Sequence, residues 1–131
     1  MITPGRLDLT VQRWTPFDFT IQLPVGLDFT GSTAALHARL YRDAPGLPQL
    51  ALNNASSAGE GLSFTTVLTE GVPTSFLRIR INETTGEGIL LNAGVPGEDV
   101  RLAYDLHITG GGFAKTRWYE GTLSIRAGAT Q

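Results

Sequence analysis

The sequence predicts an all-β protein, an antiparallel β-sandwich of immunoglobulin-like size with about eight or nine short strands. Three observations support this fold class. Most segments alternate apolar and polar residues, turns containing proline or glycine recur about every ten residues, and no segment keeps a helical period over about ten residues. At 131 residues the chain has the length of one domain, so a single domain over residues 1–131 is expected.

The first half of the chain contains the predicted strands 7–12, 17–23, 36–41 and 49–52. In each longer run, apolar residues occupy alternate positions, as a sheet with one buried and one wet face requires. Pro24 ends the second run, and the segment 43–49 separates the last two with two prolines and a glycine, because proline cannot donate within a ladder. The small polar residues 53–61 predict a loop.

The second half begins with predicted strands 62–68 and 76–81, separated by a turn at residues 70–73. In the second of these strands Leu77, Ile79 and Ile81 are expected inside, and Arg78 and Arg80 outside. Residues 83–88 predict another turn, and residues 89–91 a short apolar strand. A short turn of helix around residues 84–91 is the alternative. Residues 92–98 predict a loop.

A glycine-rich hairpin is predicted at the end of the chain, with a turn at residues 110–112. Its first strand has a continuous apolar face, formed by Val100, Leu102, Tyr104, Leu106 and Ile108. Its second strand places Gly121, Leu123, Ile125 and Ala127 on one face. Extending this alternation backwards predicts that Tyr119 points inward and Trp118 outward.

This hairpin resembles the end of small β-sandwich modules from tailed-phage virions. The matching residues are Tyr104-Asp105-Leu106, the glycine turn and Tyr119-x-Gly121-x-Leu123, and the front half adds Asp28-Phe29-Thr30-Gly31. The likeness spans about residues 17–42 and 98–127. It departs from the family pattern at Leu102, where the family has tyrosine, and at the chain end, which lacks the family's frequent Val-Thr-Arg.

The resemblance implies a non-enzymatic virion structural protein of a tail, neck, baseplate or capsid decoration. Such a protein would act through contacts with copies of itself and with other virion structural proteins, so a homo-oligomer located in the virion is expected. We find no secretory signal in the first residues, which agrees with synthesis in the host cytoplasm.

Composition excludes several other classes of function. The chain has no cysteine, which removes disulfides, thiolate catalysis and cysteine-based zinc sites. Its ten basic and twelve acidic residues include no basic run, so no nucleic-acid partner is expected. No window approaches the ~20 apolar residues of a membrane span, and no membrane association is expected.

Trp118, Arg78 and Arg80 are the candidate interface residues. An exposed tryptophan often anchors an interface, and paired arginines can bind carboxylates of a partner. Two alternatives stay open: in one, Trp118 covers the sandwich edge, and in the other, the arginines form a solvated face that protects an edge strand. Trp14 is expected in the core, and residues 1–5 and 128–131 are expected to be flexible docking arms.

Two other classes of function compete with assembly. A carbohydrate- or host-surface-binding module would stack exposed aromatic side chains on sugar rings, and its candidates are Trp118, Tyr41 and Trp14. An enzyme would need His37 and His107 at one site together with Asp105. Nothing in the sequence places such a third catalytic or metal-binding group beside the two histidines. We therefore expect no catalytic residue, no metal and no cofactor.

Overall fold

The computed structural model describes residues 5–12, 14–55, 59–93, 97–110 and 113–127. These residues form nine strands and one helix. The strands are β1 (Gly5–Arg6), β2 (Leu9–Gln12), β3 (Phe17–Gln22), β4 (Thr33–Arg39), β5 (Leu50–Asn53), β6 (Gly61–Thr69), β7 (Val72–Ile81), β8 (Val100–Gly110) and β9 (Phe113–Arg126). The helix, α1 (Glu83–Ala93), connects β7 with β8.

The strands form two sheets, which confirms the predicted all-β sandwich. The larger sheet has the order β1-β9-β8-β4-β5, with β2 also paired to β9, and the smaller sheet has the order β3-β7-β6. This is the strand order of an immunoglobulin-type sandwich. The pairing is antiparallel except that β1 and β2 run parallel to β9. The last two strands, of 11 and 14 residues, are the two strands of the predicted terminal hairpin.

Alternating apolar residues of both sheets form a single core. Leu36, Leu106 and Leu123 from the larger sheet and Leu77 and Ile79 from the smaller one are fully buried. These residues occupy the inward positions that the period-two pattern predicts for them. Burying each such side chain contributes ~1.5–3 kcal/mol relative to leaving it in water.

Phe29, in the loop between β3 and β4, is also fully buried although it lies outside any strand. Its ring is stacked on Phe64 at 6.3 Å and meets the Trp118 ring edge-on at 5.7 Å. The backbone N–H of Phe29 donates to Ser75 Oγ at 3.1 Å. This loop therefore closes one region of the core by inserting an aromatic side chain between the two sheets.

The segment predicted as a turn followed by strand 89–91 is instead the helix α1, and the alternative of a helical turn was the better prediction. The carbonyl of Asn82 accepts hydrogen bonds from Thr85 N at 3.1 Å and from Gly86 N at 3.2 Å, which starts the helix. Glu83 in the first turn suits the positive end of the helix dipole. The glycines Gly86 and Gly88 lower helix propensity and concealed this element in the sequence.

The prediction that Trp118 points outward is wrong. A register shift occurs between Leu106 and His107: Leu106 pairs with Tyr119, whereas His107 pairs with Arg117. Trp118 is therefore the extra residue of a β-bulge, and its side chain turns towards the core, where 8% of it stays exposed. Tyr119 also packs against the core, as predicted.

Two further predictions near the N-terminus are wrong, one for Gly5 and one for Trp14. Gly5 belongs to β1 and pairs with Tyr119, so the expected flexible arm is wrong at this residue. Residues 1–4 and 128–131 lie outside the described residues. Trp14 is not in the core: it lies in a turn with a φ of 66° and is 49% exposed. None of the helical residues that the structure describes forms a stretch long and apolar enough to cross a membrane.

Candidate functional site

The outer face of the smaller sheet places the two predicted interface arginines beside one carboxylate. Arg80 lies opposite Asp18 in the β3–β7 register, and Arg78 lies one pleat further along. Arg78 Nε donates to Asp18 Oδ1 at 2.8 Å, and Arg78 Nη2 donates to Oδ2 at 2.5 Å. Arg80 Nη1 lies 3.7 Å from Asp18 Oδ2. Both arginines are on the outer face, as the alternation predicts.

The electrostatics of this cluster follow from its two cations and one anion. The hydrogen bonds from Arg78, followed by the charges of Arg78 and Arg80, lower the pKa of Asp18, although partial desolvation opposes this effect. The same hydrogen bonds raise the pKa of Arg78. The cluster thus places two guanidinium groups beside one carboxylate on an outer face, where guanidinium groups can bind an acidic group of a partner.

A cleft of about 490 Å³ lies on the outer face of the larger sheet. Strands β4, β8 and β9 form its floor, and the segment after β4 forms its wall. Its lining is mostly polar and charged: His37, Arg39, Tyr41, Arg42, Asp43, Ala103, Tyr104, Asp105, His107 and Arg117.

The cleft brings together the three residues considered for catalysis. His37 is the register partner of Asp105 across β4 and β8. His107 Nε2 lies 3.3 Å from Asp105 Oδ1, and Arg117 Nε lies 3.6 Å from Asp105 Oδ2. The three residues that the enzyme alternative needs at one site therefore lie on one face of the larger sheet. Within the described residues, however, no three histidine, aspartate or glutamate side chains are placed to hold a metal ion.

The wall of the cleft is held in place by arginines. Arg39 Nη1 donates to the carbonyl oxygens of Ala44, at 3.1 Å, and Gly46, at 2.5 Å. The guanidinium of Arg42 donates to Glu120 Oε2 on β9. Tyr41, which is 60% exposed, projects from this wall. The arrangement offers fixed polar groups and one accessible aromatic ring to a ligand.

The three aromatic residues proposed for sugar stacking do not share one surface. Tyr41 lines the cleft. Trp118 is buried in the bulge and packs on Phe29. Trp14 is exposed in the turn after β2 and is not among the residues that line the cleft. A stacking site built on all three is therefore wrong, and Tyr41 is the one that could contact a sugar in the cleft.

A surface that the sequence did not single out lies at the end of the β6–β7 hairpin. Four exposed apolar side chains, Val25, Val67, Leu68 and Val72, form what we call the apolar hairpin end. Leu68 lies opposite Pro73, whose carbonyl accepts a hydrogen bond from Gly26 N at 2.9 Å, so the loop containing Val25 adjoins the hairpin. Alternation identified Val67 and Leu68 as strand residues but could not show that the strand extends past the core.

A tight turn holds the apolar hairpin end. Glu70 and Gly71 form the two-residue loop, with φ values of 52° and 81°. Positive φ at both central residues defines a type I′ turn, whose twist matches that of the strands it connects. Thr69 and Val72 flank the turn as register partners. The two apolar strand ends are therefore fixed relative to each other rather than splayed.

Comparison of this sequence with protein-family models and with curated proteins found no match.

Proposed function

We propose that this protein is a non-enzymatic structural component of a phage virion, in a tail, neck, baseplate or capsid decoration. It assembles through contacts with copies of itself and with other virion structural proteins. The observation that supports this proposal best is the apolar hairpin end, with the resemblance of the terminal hairpin to phage β-sandwich modules as the reason to place it in a virion.

The apolar hairpin end is suited to a protein–protein contact. Single exposed apolar residues are ordinary, but here Val67 and Val72 are exposed on one face of the hairpin end and Leu68 on the other, so a partner that encloses this end would cover apolar groups on both faces. Leu68 alone is 68% exposed, and Val67 and Val72 lie on the same hairpin. Covering such side chains with a partner removes apolar area from water at ~25 cal/mol per Å².

The Arg78–Arg80 cluster is the second contact in this proposal. Its guanidinium groups, oriented by Asp18, would bind a carboxylate of another virion protein. Trp118 has no part in this contact because it is buried. It supports the fold instead, through its contact with Phe29.

The polar cleft supports a non-enzymatic reading. The described side chains that line it include no serine, threonine or cysteine that His37 or His107 could activate as a nucleophile. Asp105 lies within ion-pair distance of both His107 and Arg117, as is common in structural charge clusters.

The proposal is tested by the mass of the purified protein, measured by light scattering over a wide concentration range. We expect a discrete oligomer whose population grows with concentration. A monomer at every concentration would contradict self-assembly.

A carbohydrate-binding module is the second candidate, favoured by the cleft and by the exposed ring of Tyr41. A sugar ring stacked on Tyr41 could exchange hydrogen bonds with the histidine and aspartate side chains beside it. A glycan array followed by calorimetry tests this. A ligand of the cleft should lose affinity with Tyr41→Ala and keep most of it with Tyr41→Phe, and an array without any bound glycan would contradict this candidate.

A further inference from the structure

Strand β6 has an unusual free edge. It is nine residues long and contains neither a charged residue nor a proline. Its residues are mostly threonine, valine, leucine and phenylalanine, which favour strands. In the part of the chain that the structure describes, the outer edge of β6 is paired at Leu62 alone, with Asn54. A long, uncharged edge of this kind is a template for another strand.

The opposite edge of the smaller sheet is protected. Strand β3 begins directly after Pro16 and ends shortly before Pro24, and it carries the charge of Asp18. Proline and charge are the features by which proteins prevent a sheet edge from pairing with another chain.

The two edges of the larger sheet are protected as well. Strand β5 has four residues and follows a segment with two prolines. On the other side, β1 and β2 are separated at Leu7 and Asp8, where Asp8 lies 3.2 Å from the guanidinium of Arg6. Within the described residues, the contrast singles out β6 as the edge without protection.

The neighbours of β6 show which of its residues direct their backbone N–H and C=O groups to the free edge. Ala55 N donates to the carbonyl of Leu62 at 2.8 Å, so the backbone groups of Leu62 point to the free edge. Alternate residues of a strand point the same way, so Phe64, Thr66 and Leu68 also present their N–H and C=O groups there. The type I′ turn agrees, because it makes Thr69 and Val72 the hydrogen-bonded pair that closes the hairpin.

We propose that β6 pairs antiparallel with β6 of a second copy of this chain, about a two-fold axis at Thr66. This inference rests on the self-assembly stated under the proposed function and identifies where it occurs. Phe64 of each copy lies opposite Leu68 of the other, and the two Thr66 residues lie opposite each other. The backbone groups of Phe64, Thr66 and Leu68 in both copies then form about six interchain hydrogen bonds.

Side chains fit this register. Leu68, the most exposed apolar residue of β6, meets Phe64 of the second copy, and Thr65 meets the exposed Val67 on the other face. Apolar and β-branched cross-strand pairs of this kind stabilise sheets. No like charges oppose each other, because the strand has no charge. The two three-stranded sheets become one continuous sheet across the dimer.

Other registers fit less well. Moving the axis towards the start of β6 would bring the second copy against Ala55, which already uses the carbonyl of Leu62. Moving it towards the turn leaves Phe64 unpaired and shortens the ladder. Thr66 is the centre from which every available backbone group finds a partner, which favours a second copy over an unrelated strand.

A charge-pair experiment tests the register. Thr65 and Val67 are both exposed on the outer face, so T65K/V67K and T65E/V67K should fold like the original chain, which circular dichroism melting verifies. Across the two-fold axis, T65K/V67K places lysine opposite lysine twice, whereas T65E/V67K places glutamate opposite lysine twice. We expect light scattering to show a loss of association of at least tenfold for the first variant and retention for the second.

Three outcomes would overturn the inference, and they are distinct. Association of T65K/V67K at the strength of the original chain means that copies assemble elsewhere, which leaves the proposed function intact. Dissociation of both variants overturns the register. A monomeric original chain at all concentrations contradicts self-assembly itself, and the β6 pairing with it.

Discussion

At the scale of single residues, Trp118 and Trp14 exchange the environments that their sequence positions indicate. Trp118 is enclosed by the bulge and contacts Phe29, whereas Trp14 is half exposed in a turn. One inserted residue in β9 is enough to bury Trp118, because side chains alternate with a period of two and a single insertion reverses the face.

Replacing Trp118 with alanine is therefore expected to destabilise the fold by ~3–5 kcal/mol, as large-to-small changes in a core do. Trp14→Ala is the matched control, and we expect a change within ~0.5 kcal/mol. Urea unfolding of both variants measures the difference. If Trp118→Ala left stability unchanged and reduced association instead, the buried role of Trp118 would be wrong.

Asp18 gives the fold a dependence on pH that has a defined sign. Its pKa is lowered in the folded protein, chiefly by the hydrogen bonds from Arg78, so the charged form favours folding. This contribution is complete above the ordinary carboxyl value of 3.8 and is lost as the pH falls from there through the lowered folded value. We expect Asp18→Asn to be slightly less stable than the original chain at pH 7, and we expect the difference to shrink as the pH falls below 3.8. Urea unfolding over a series of pH values measures it, and a difference that does not depend on pH would contradict this account.

At the scale of elements, two glycines have opposite roles. A Cβ at Gly88 in α1 would meet nothing within 4 Å, whereas a Cβ at Gly121 in β9 would lie 2.8 Å from Asp8 Oδ1 and against the carbonyl of Leu7. Gly121 thus admits the segment between β1 and β2 close to β9. The same carbonyl accepts the hydroxyl of Tyr104, the register partner of Gly121, and burial raises the pKa of that hydroxyl.

Alanine at these two positions should change stability in opposite directions. Gly88→Ala is expected to stabilise the protein by up to ~1 kcal/mol through helix propensity. Gly121→Ala is expected to destabilise it by ~1–3 kcal/mol because the segment at Leu7 and Asp8 must move away from β9. Denaturant midpoints of both variants test this, and equal shifts would contradict the close approach at Gly121.

Proline substitutions on β6 separate the free edge from the paired one. The N–H of Leu68 points to the free edge, so Leu68→Pro should cost less than ~0.5 kcal/mol in the monomer yet prevent pairing with a second copy. The N–H of Val67 bonds to β7, so Val67→Pro should cost at least ~1 kcal/mol. Thermal melting and light scattering together measure the two effects. A larger loss of stability in Leu68→Pro than in Val67→Pro would show that the N–H of Leu68 points to β7 instead.

At the scale of the whole molecule, the sequence predicts the sandwich well because alternation is a local signal. The inward positions of Leu77, Ile79 and Leu106 follow directly from it. The helix α1 and the bulge at Trp118 are less visible, since glycines weaken the helical signal and one extra residue leaves no mark in the pattern. The cleft depends on the pairing of β4, β8 and β9, and the free edge depends on the position of β6 at the end of its sheet. Both are non-local properties, which alternation along the sequence does not reveal.

The parallel pairing of β1 and β2 with β9 also determines how the chain can fold. Asp8 bonds to the backbone of Thr122 across 114 positions of sequence, and Leu9 pairs with Leu123. Closing a loop of that length is slow, because chain entropy opposes contacts between distant residues. On the ribosome, β8 can pair with β4 as soon as it emerges, whereas β1 and β2 find their partner only when β9 has emerged. The larger sheet is therefore expected to form late, after the local β6–β7 hairpin has already brought its own strands together.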